Sequence, residues 1–196
     1  MPTIRTFIAI ELPSPAQTGL SDLQNRLKTV LPPRTVRWVP AGNIHLTIHF
    51  LGDIPTGQTD TVTSLLQAAA AQIEPFSLQI TGLGCFPHIH RPRVIWAGVQ
   101  GQTTLLKNLH KMLGDSLKAI NFSPDNHPYN PHLTIGRVKK QIPTRQLKQL
   151  AESLQRTEPE IGLIANIEVT TISFMQSQLK PTGAIYTRLE QGICGA

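Results

Sequence analysis

The tetrads His45-Leu46-Thr47-Ile48 and His132-Leu133-Thr134-Ile135 are identical and lie in different halves of the chain. With this composition, an H-L-T-I tetrad is expected on the order of 0.01 times, so two copies are very improbable without an internal repeat or a shared function. The pair therefore predicts two similar lobes that each contribute one tetrad.

Both tetrads have the pattern of a β-strand, in which successive side chains point to opposite faces. His45, Thr47 and His49 are then expected to share one face, roughly 7 Å apart along the strand. The opposite, core-facing set is predicted to be Ile44, Leu46, Ile48 and Phe50. In the second strand His132 and Thr134 share a face opposite Leu133 and Ile135.

The hydrophobic periodicity alternates between strand-like and helix-like along the whole chain, without a low-complexity linker. A helix is predicted after Ser14-Pro15 up to Pro32, and Gly52-Asp53 is predicted to be a turn. Further helices are predicted over 59–73, 105–117 and 147–154. Strands are predicted over 6–12, 36–39, 44–51, 76–83, 94–99, 132–138, 167–174 and 184–189. This order favours an α+β fold with antiparallel sheets, in one two-lobed domain spanning 1–196.

Composition limits the partners and the cellular compartment. The chain has 196 residues with 18 Lys+Arg against 12 Asp+Glu, a formal charge of +6 that favours polyanionic partners. Only 5% of residues are aromatic, which argues against a broad base-stacking platform.

Cys85 and Cys194 form no paired motif, which indicates free thiols in a cytoplasmic protein. The apolar run near the N-terminus is too short for a membrane span, so no membrane partner is expected.

Two histidines facing one cleft suit the cleavage of a phosphodiester. One imidazole gives a proton to the leaving oxygen while the other takes a proton from the attacking water or hydroxyl. A pKa of ~6.5 keeps both forms accessible near neutrality, and each proton transfer typically contributes ~10² to 10⁴ in rate. The hydroxyls of Thr47 and Thr134 can donate to phosphate oxygens in the transition state.

A metal site is the alternative interpretation of these histidines. His45 and His49 would sit ~13 Å apart on a strand, too far to share one zinc ion. His88 and His90 could converge only with loop curvature, and the segment from His88 to Arg93 is more simply a basic loop. We therefore expect no metal and no cofactor. His110 is expected to be a partly buried packing residue, and His127 is given no role.

Further stretches surround the tetrads: Arg5-Thr6-Phe7-Ile8-Ala9-Ile10, Trp38-Val39, Asn43-Ile44, Phe50-Leu51-Gly52, Phe86-Pro87, Pro92-Arg93-Val94-Ile95-Trp96, Gly136-Arg137, Ser177 and Gly183-Ala184-Ile185-Tyr186. Together with the tetrads they resemble the two-histidine phosphoesterases. Within these, the chain resembles the RNA 2′,3′-cyclic phosphodiesterases once named 2′-5′ RNA ligases, over nearly its whole length.

The resemblance implies two pseudo-symmetric lobes around a central cleft and metal-free hydrolysis of a terminal 2′,3′-cyclic phosphate to a 2′-phosphomonoester. His45 would donate a proton to the leaving 3′ oxygen, and His132 would accept one from water. Thr47 and Thr134 would hold the phosphate together with Arg137. Strict alternation places Arg137 opposite to His132, so a bulge or strand end after Gly136 is expected. His49 departs from the family, where a long basic residue is expected.

Other interpretations stay open. The histidines could be ordinary strand residues of a duplicated fold, or the chain could bind a nucleotide or RNA end without turnover. A small cyclic nucleotide or an ADP-ribose cyclic phosphate is the alternative substrate. The basic loop from His88 to Arg93 and Lys139-Lys140 favour RNA, with tRNA fragments as one source of ends. Reverse 2′-5′ ligation follows from microscopic reversibility, and a monomer is expected.

Overall fold

Two antiparallel sheets carry the two tetrads, one tetrad in each sheet. The computed structural model describes residues 2–122, 128–181 and 183–196, so His127 lies outside the described residues. The strands are β1 (Thr3–Glu11), β2 (Val36–Trp38), β3 (His45–Pro55), β4 (Phe76–Phe86), β5 (Val94–Gly101), β6 (His132–Val138), β7 (Leu163–Val169), β8 (Thr171–Lys180) and β9 (Gly183–Ile193). The helices are α1 (Ser14–Val30), α2 (Thr59–Ala71), α3 (Thr103–Ala119) and α4 (Thr144–Thr157), with short 3₁₀ turns at 41–43, 56–58 and 158–160.

The first strand of the chain and its last two strands lie in the same sheet. One sheet has the order β3-β1-β8-β9 and the other has the order β2-β6-β5-β4-β7, with every pair antiparallel. Helices α2 and α3 pack against the first sheet, and α1 packs against β7 of the second. The expected α+β fold with two antiparallel lobes is confirmed. Helix α1 follows a strand of one sheet and packs on the other, so the lobes are interlocked.

The apolar faces of both sheets and all four helices enclose one continuous core. Leu20, Leu23 and Leu27 of α1 are buried at helical spacing, as are the leucines of α3. Each fully buried leucine contributes about 1.5–3 kcal/mol relative to exposure. Within the described part of the chain, no helix is both long and apolar enough to span a bilayer.

A β-bulge interrupts each tetrad strand at the same place. Ile48 has no partner in β1, because Thr47 pairs with Ala9 and His49 pairs with Ile8. Ile135 is skipped in β5 in the same way. A bulge adds one residue to one strand, so every side chain beyond it changes face relative to simple alternation.

The bulge at Ile48 makes two predictions wrong. His49 does not share the face of His45: it is 4% exposed, and its Nε2 donates to the carbonyl of His110 in α3 at 2.8 Å. Phe50, expected in the core, is 68% exposed and lies beside Phe7, with ring centroids 6.2 Å apart. His110 is stacked on His49 at 4.1 Å, which confirms its packing role.

Two boundaries also differ from the sequence prediction. The expected strand over 167–174 is two strands, since the chain leaves the second sheet after Val169 and enters the first at Thr171. Gly52 is no turn between elements, because β3 continues to Pro55. Gly52 pairs with Thr6 at φ 70° beside a further irregularity in the β1 register, a backbone conformation that glycine adopts without steric cost.

Candidate active site

The backbone orients both tetrad histidines in the same way. The Nδ1 of His45 lies 2.9 Å from the carbonyl oxygen of Asn43, and the Nδ1 of His132 lies 2.8 Å from that of Asn130. A carbonyl oxygen only accepts, so Nδ1 carries the proton in each ring and Nε2 is left with a free lone pair. Each imidazole therefore has Nε2 available to accept or donate a proton.

The sequence contained a signal for this orientation that the tetrads alone did not reveal. The repeat extends two residues toward the N-terminus, as Asn43-Ile44-His45 and Asn130-Pro131-His132. It is therefore an N-x-H-L-T-I hexad. The asparagine acts here through its backbone carbonyl.

Aromatic rings enclose the His45 imidazole. Phe7 stacks on it with ring centroids 4.6 Å apart, and Tyr186 of β9 contacts it edge-on at 5.1 Å. Burial lowers the pKa of His45, while the Asn43 carbonyl and the Glu11 carboxylate act in the opposite direction. The substrate-free ring is thus biased toward its neutral form.

A different pair of aromatic rings flanks His132. Phe86 contacts it edge-on at 4.8 Å, and the Trp96 centroid lies 6.4 Å away. The indole lies over Gly84, where a Cβ would come within 2.2 Å of Cζ2 of Trp96. Only glycine leaves room for this indole, so Gly84 determines the position of the Trp96 side chain beside His132.

The threonines lie on the same face as their histidines. Thr47 pairs with Ala9 and Thr134 pairs with Trp96, and both threonine side chains are partly exposed. Neither hydroxyl has a hydrogen-bond partner among the described residues. Both hydroxyls can therefore donate to an oxyanion placed between the strands.

Arg137 lies on the face of His132 because of the bulge at Ile135. An irregularity was expected after Gly136, and the structure has it one residue earlier. Gly136 then faces the core, and Arg137 is exposed on the other side. Arg137 and Phe50 occupy equivalent places, each five residues after its histidine and beyond its bulge. The two halves of the site are thus alike in their histidines and threonines and differ at this position.

The two tetrads meet because β3 and β6 contact each other. The hydroxyl of Tyr129 donates to the backbone carbonyl of Thr47 at 3.1 Å. Tyr129 directly precedes Asn130, whose carbonyl orients His132. One residue therefore connects the first tetrad with the segment that orients the second histidine.

Glu11 is a neighbour of the site that the sequence analysis missed. It is the direct partner of His45 in the β1–β3 register. Its Oε2 accepts hydrogen bonds from the Oγ of Ser173 and the Nε of Arg188, each at 2.7 Å. The carboxylate is thereby fixed beside the imidazole by residues more than 160 positions away, which no local pattern could indicate.

The remaining histidine pair lies on an exposed loop. The rings of His88 and His90 are tilted, with centroids 6.1 Å apart, between β4 and β5. In the part of the chain that the structure describes, no three His, Cys, Asp or Glu side chains converge as metal ligands. The exposed Arg91 and Arg93 make this segment a basic loop.

Comparison with known proteins gives the family. The model of the 2'-5' RNA ligase superfamily matches residues 12–180. The RNA 2′,3′-cyclic phosphodiesterase of Methanothermobacter thermautotrophicus is 32% identical over 187 residues, covering 95% of this chain and 97% of the relative. The protein of the same name from Aquifex aeolicus is 30% identical over 197 residues and is covered completely, as is this chain.

Solved structures share the fold. A crystal structure from Thermus thermophilus superposes with a TM-score of 0.79 at 26% identity, covering 98% of this chain and 99% of that one. Escherichia coli LigT complexed with 3'-AMP gives a TM-score of 0.77 at 22% identity, with both chains fully covered. The match of the family model and the full-length relatives lead to one conclusion: this chain belongs to the 2'-5' RNA ligase superfamily.

Proposed function

We propose that this protein is an RNA 2′,3′-cyclic phosphodiesterase that hydrolyses a terminal 2′,3′-cyclic phosphate to a 2′-phosphomonoester. The observation that carries the proposal is the matched orientation of His45 and His132. Each has Nδ1 bonded to a carbonyl and Nε2 free, on strands that contact each other. Full-length relatives named as RNA 2′,3′-cyclic phosphodiesterases give independent support.

In the proposed reaction, water attacks the phosphorus and the bond from phosphorus to the 3′ oxygen breaks. Nε2 of His132 takes the proton of the attacking water, and protonated Nε2 of His45 gives its proton to the 3′ oxygen. Thr47, Thr134 and Arg137 donate hydrogen bonds to the non-bridging oxygens, whose charge grows in the pentavalent transition state. The side chains supply acid, base and anion binding, so we propose no metal and no nucleotide cofactor.

The lowered pKa of His45 must be reconciled with a role as the acid. Its neutral form is favoured without substrate, because burial disfavours the charged ring. A bound phosphodiester carries a negative charge, and an opposite charge within ~4–6 Å favours the protonated imidazole. Substrate binding would therefore raise the pKa of His45 as the acid is needed. The same site run in reverse would join RNA ends through a 2′-5′ bond.

We further propose that residues 1–196 act as one two-lobed, monomeric unit in the cytoplasm, on RNA ends that include tRNA fragments. Support for one unit comes from the continuous core shared by both sheets. Support for a reducing compartment comes from Cys85 and Cys194, which are both free and buried. Light scattering during gel filtration would test the monomer.

The test is hydrolysis of a short RNA ending in a 2′,3′-cyclic phosphate in excess EDTA, with identification of the product. We expect conversion to the 2′-phosphate at the rate seen without EDTA. A 3′-phosphate product would contradict the assigned leaving group. Binding of the RNA without turnover would instead favour a non-catalytic binding module. Turnover of a small cyclic nucleotide or ADP-ribose cyclic phosphate alone would assign the smaller substrate.

A further inference from the structure

Two arginines face each other directly in the β2–β6 pair. The register makes Arg37 the partner of Arg137, and both are exposed. Directly opposed side chains share a face with Cβ atoms about 4.5–5.5 Å apart, and like charges in this arrangement are destabilising. The stability of the sheet therefore gives no reason to place these two guanidinium groups together.

The neighbours of Arg37 determine which way it points. A Cβ added to Gly136 would meet Cγ1 of Val36 at 2.8 Å and Cε3 of Trp38 at 3.2 Å, so both side chains lie on the core side of the sheet. Arg37 lies between them in the strand and points to the opposite side. That is the face on which the bulge places Arg137, and it is the face of His132.

The positive surface continues beyond this pair. Among the described residues, neither Arg37 nor Arg137 takes part in an ion pair. The backbone N–H of Lys139 donates to the carbonyl of Thr35 at 2.9 Å, so exposed Lys139 and Lys140 follow at the same end of β2. A row of cations next to a phosphate site suits an anion with more than one phosphate.

We infer that Arg37 binds the internucleotide phosphate next to the cyclic end of an RNA substrate, an inference that rests on the proposed function. Strand β6 carries His132, Thr134 and Arg137 for the reacting phosphate, and Arg37 lies one strand further out, at the edge of the sheet. A second phosphate of the chain meets this guanidinium. A cyclic mononucleotide has no such phosphate, so Arg37 distinguishes RNA ends from small cyclic nucleotides.

The experiment compares three substrates: 2′,3′-cyclic AMP, a diribonucleotide ending in a 2′,3′-cyclic phosphate, and the same dinucleotide with a neutral methylphosphonate linkage. Wild-type protein is expected to lose about tenfold in kcat/KM when the linkage is neutral, the size of one hydrogen bond between charged groups. Arg37→Gln is expected to lose about tenfold on the charged dinucleotide and to respond little to neutralisation. For the charged dinucleotide, the slope of log kcat/KM against log salt concentration should be less negative for Arg37→Gln than for the wild type, by about 0.7.

Two further variants separate this role from a structural one. Arg37→Lys keeps the charge and should recover most of the discrimination between the two linkages. Arg145→Gln, on the exposed first turn of α4, should behave as wild type with all three substrates. An equal loss by Arg37→Gln on 2′,3′-cyclic AMP would overturn the inference, as would undiminished discrimination between the linkages.

Equilibrium binding of both dinucleotides to His132→Ala protein, with and without Arg37→Gln, repeats the comparison without turnover. The wild-type protein could show no turnover while His132→Ala protein still binds the charged dinucleotide more tightly than the neutral one, in a way that depends on Arg37. That result would count against the proposed function alone. Equal binding of both linkages by His132→Ala protein would count against Arg37.

Discussion

The hydroxyl of Tyr129 donates to the backbone carbonyl of Thr47 at 3.1 Å and thereby joins the two halves of the site. The Tyr129 ring stacks on His110 at 4.1 Å, and His110 stacks in turn on His49 at 4.1 Å. Burial raises the pKa of Tyr129 above its usual range, so the hydroxyl stays protonated and remains a donor. The stack fixes Tyr129, and Tyr129 fixes the segment leading to His132.

Tyr129→Phe removes this hydrogen bond and keeps the stacked ring. We expect kcat to fall about tenfold with KM within twofold, because a small misplacement of His132 weakens the transition state more than binding. The free energy of unfolding should fall by only about 1 kcal/mol, the net contribution of one neutral hydrogen bond. Steady-state kinetics and urea unfolding measure both quantities. An unchanged kcat would show that the link does not position the site.

Glu11→Gln tests which histidine is the acid. The Glu11 carboxylate raises the pKa of His45, so its neutralisation should lower that pKa. If His45 is the acid, activity is lost as pH rises through its pKa, and the alkaline limb of the kcat/KM profile should move to lower pH. If His45 is the base, the acidic limb should move instead. The measurement is a full pH profile with a cyclic phosphate substrate.

Arg188→Gln is the matched control for that profile. Arg188 bonds to the same Oε2 of Glu11, and its removal leaves the carboxylate less neutralised. The pKa of His45 should then rise, and the limb of the kcat/KM profile that follows this pKa should move to higher pH, opposite to its shift in Glu11→Gln. A shift in the same direction for both variants would mean that structural damage, rather than charge, caused the change.

The pH dependence of the free energy of unfolding should reflect the lowered pKa of His110. Burial and the neighbouring His49 lower the pKa of His110 from 6.5 to about 4, and burial also lowers the pKa of His49. Between these values the unfolded chain binds more protons than the folded one, so the free energy of unfolding should decrease as pH falls from 6.5 to 4. His110→Phe should flatten this decrease in urea titrations, whereas His90→Phe on the exposed loop should leave it as in wild type. Equal slopes for all three proteins would contradict the assignment.

Gly84→Ala tests whether the Trp96 side chain determines the position of His132. The new Cβ would lie 2.2 Å from the indole, which must leave its present position beside Phe86 and His132. Overpacking of this kind costs about 1–3 kcal/mol of stability, and we expect kcat/KM to fall at least tenfold. Gly57→Ala is the control, because nothing lies within 4 Å of its Cβ. Wild-type kinetics for Gly84→Ala would show that Trp96 does not determine the position of His132.

Local periodicity was enough to find the elements that carry the site. The repeated tetrads, the leucine spacing of α1 and α3 and the antiparallel class are all readable from residues within one element. The prediction of one strand over 167–174 was wrong because the segment has strand-forming residues throughout and no glycine or proline at Thr170, where the chain changes sheets. That change depends on which strands are neighbours in space.

The faces of side chains beyond each tetrad could not be predicted for a related reason. A bulge arises from pairing with a partner strand, so Ile48 and Ile135 look like ordinary alternating residues in the sequence. His49 and Phe50 were therefore placed on the wrong faces, and the face of Arg137 needed an irregularity whose position was one residue off. The roles proposed for the site residues remain predictions that the kinetics of variants must test.

The most direct test of one site built from two half-sites is hydrolysis of an RNA 2′,3′-cyclic phosphate by His45→Ala, His132→Ala and the double variant. In the proposed mechanism acid and base act on the same phosphate, so each single variant should lose ~10² to 10⁴ in kcat while still binding the RNA. The double variant should lose less than the product of the two factors. A single variant that turns over the substrate within threefold of wild type would contradict the account.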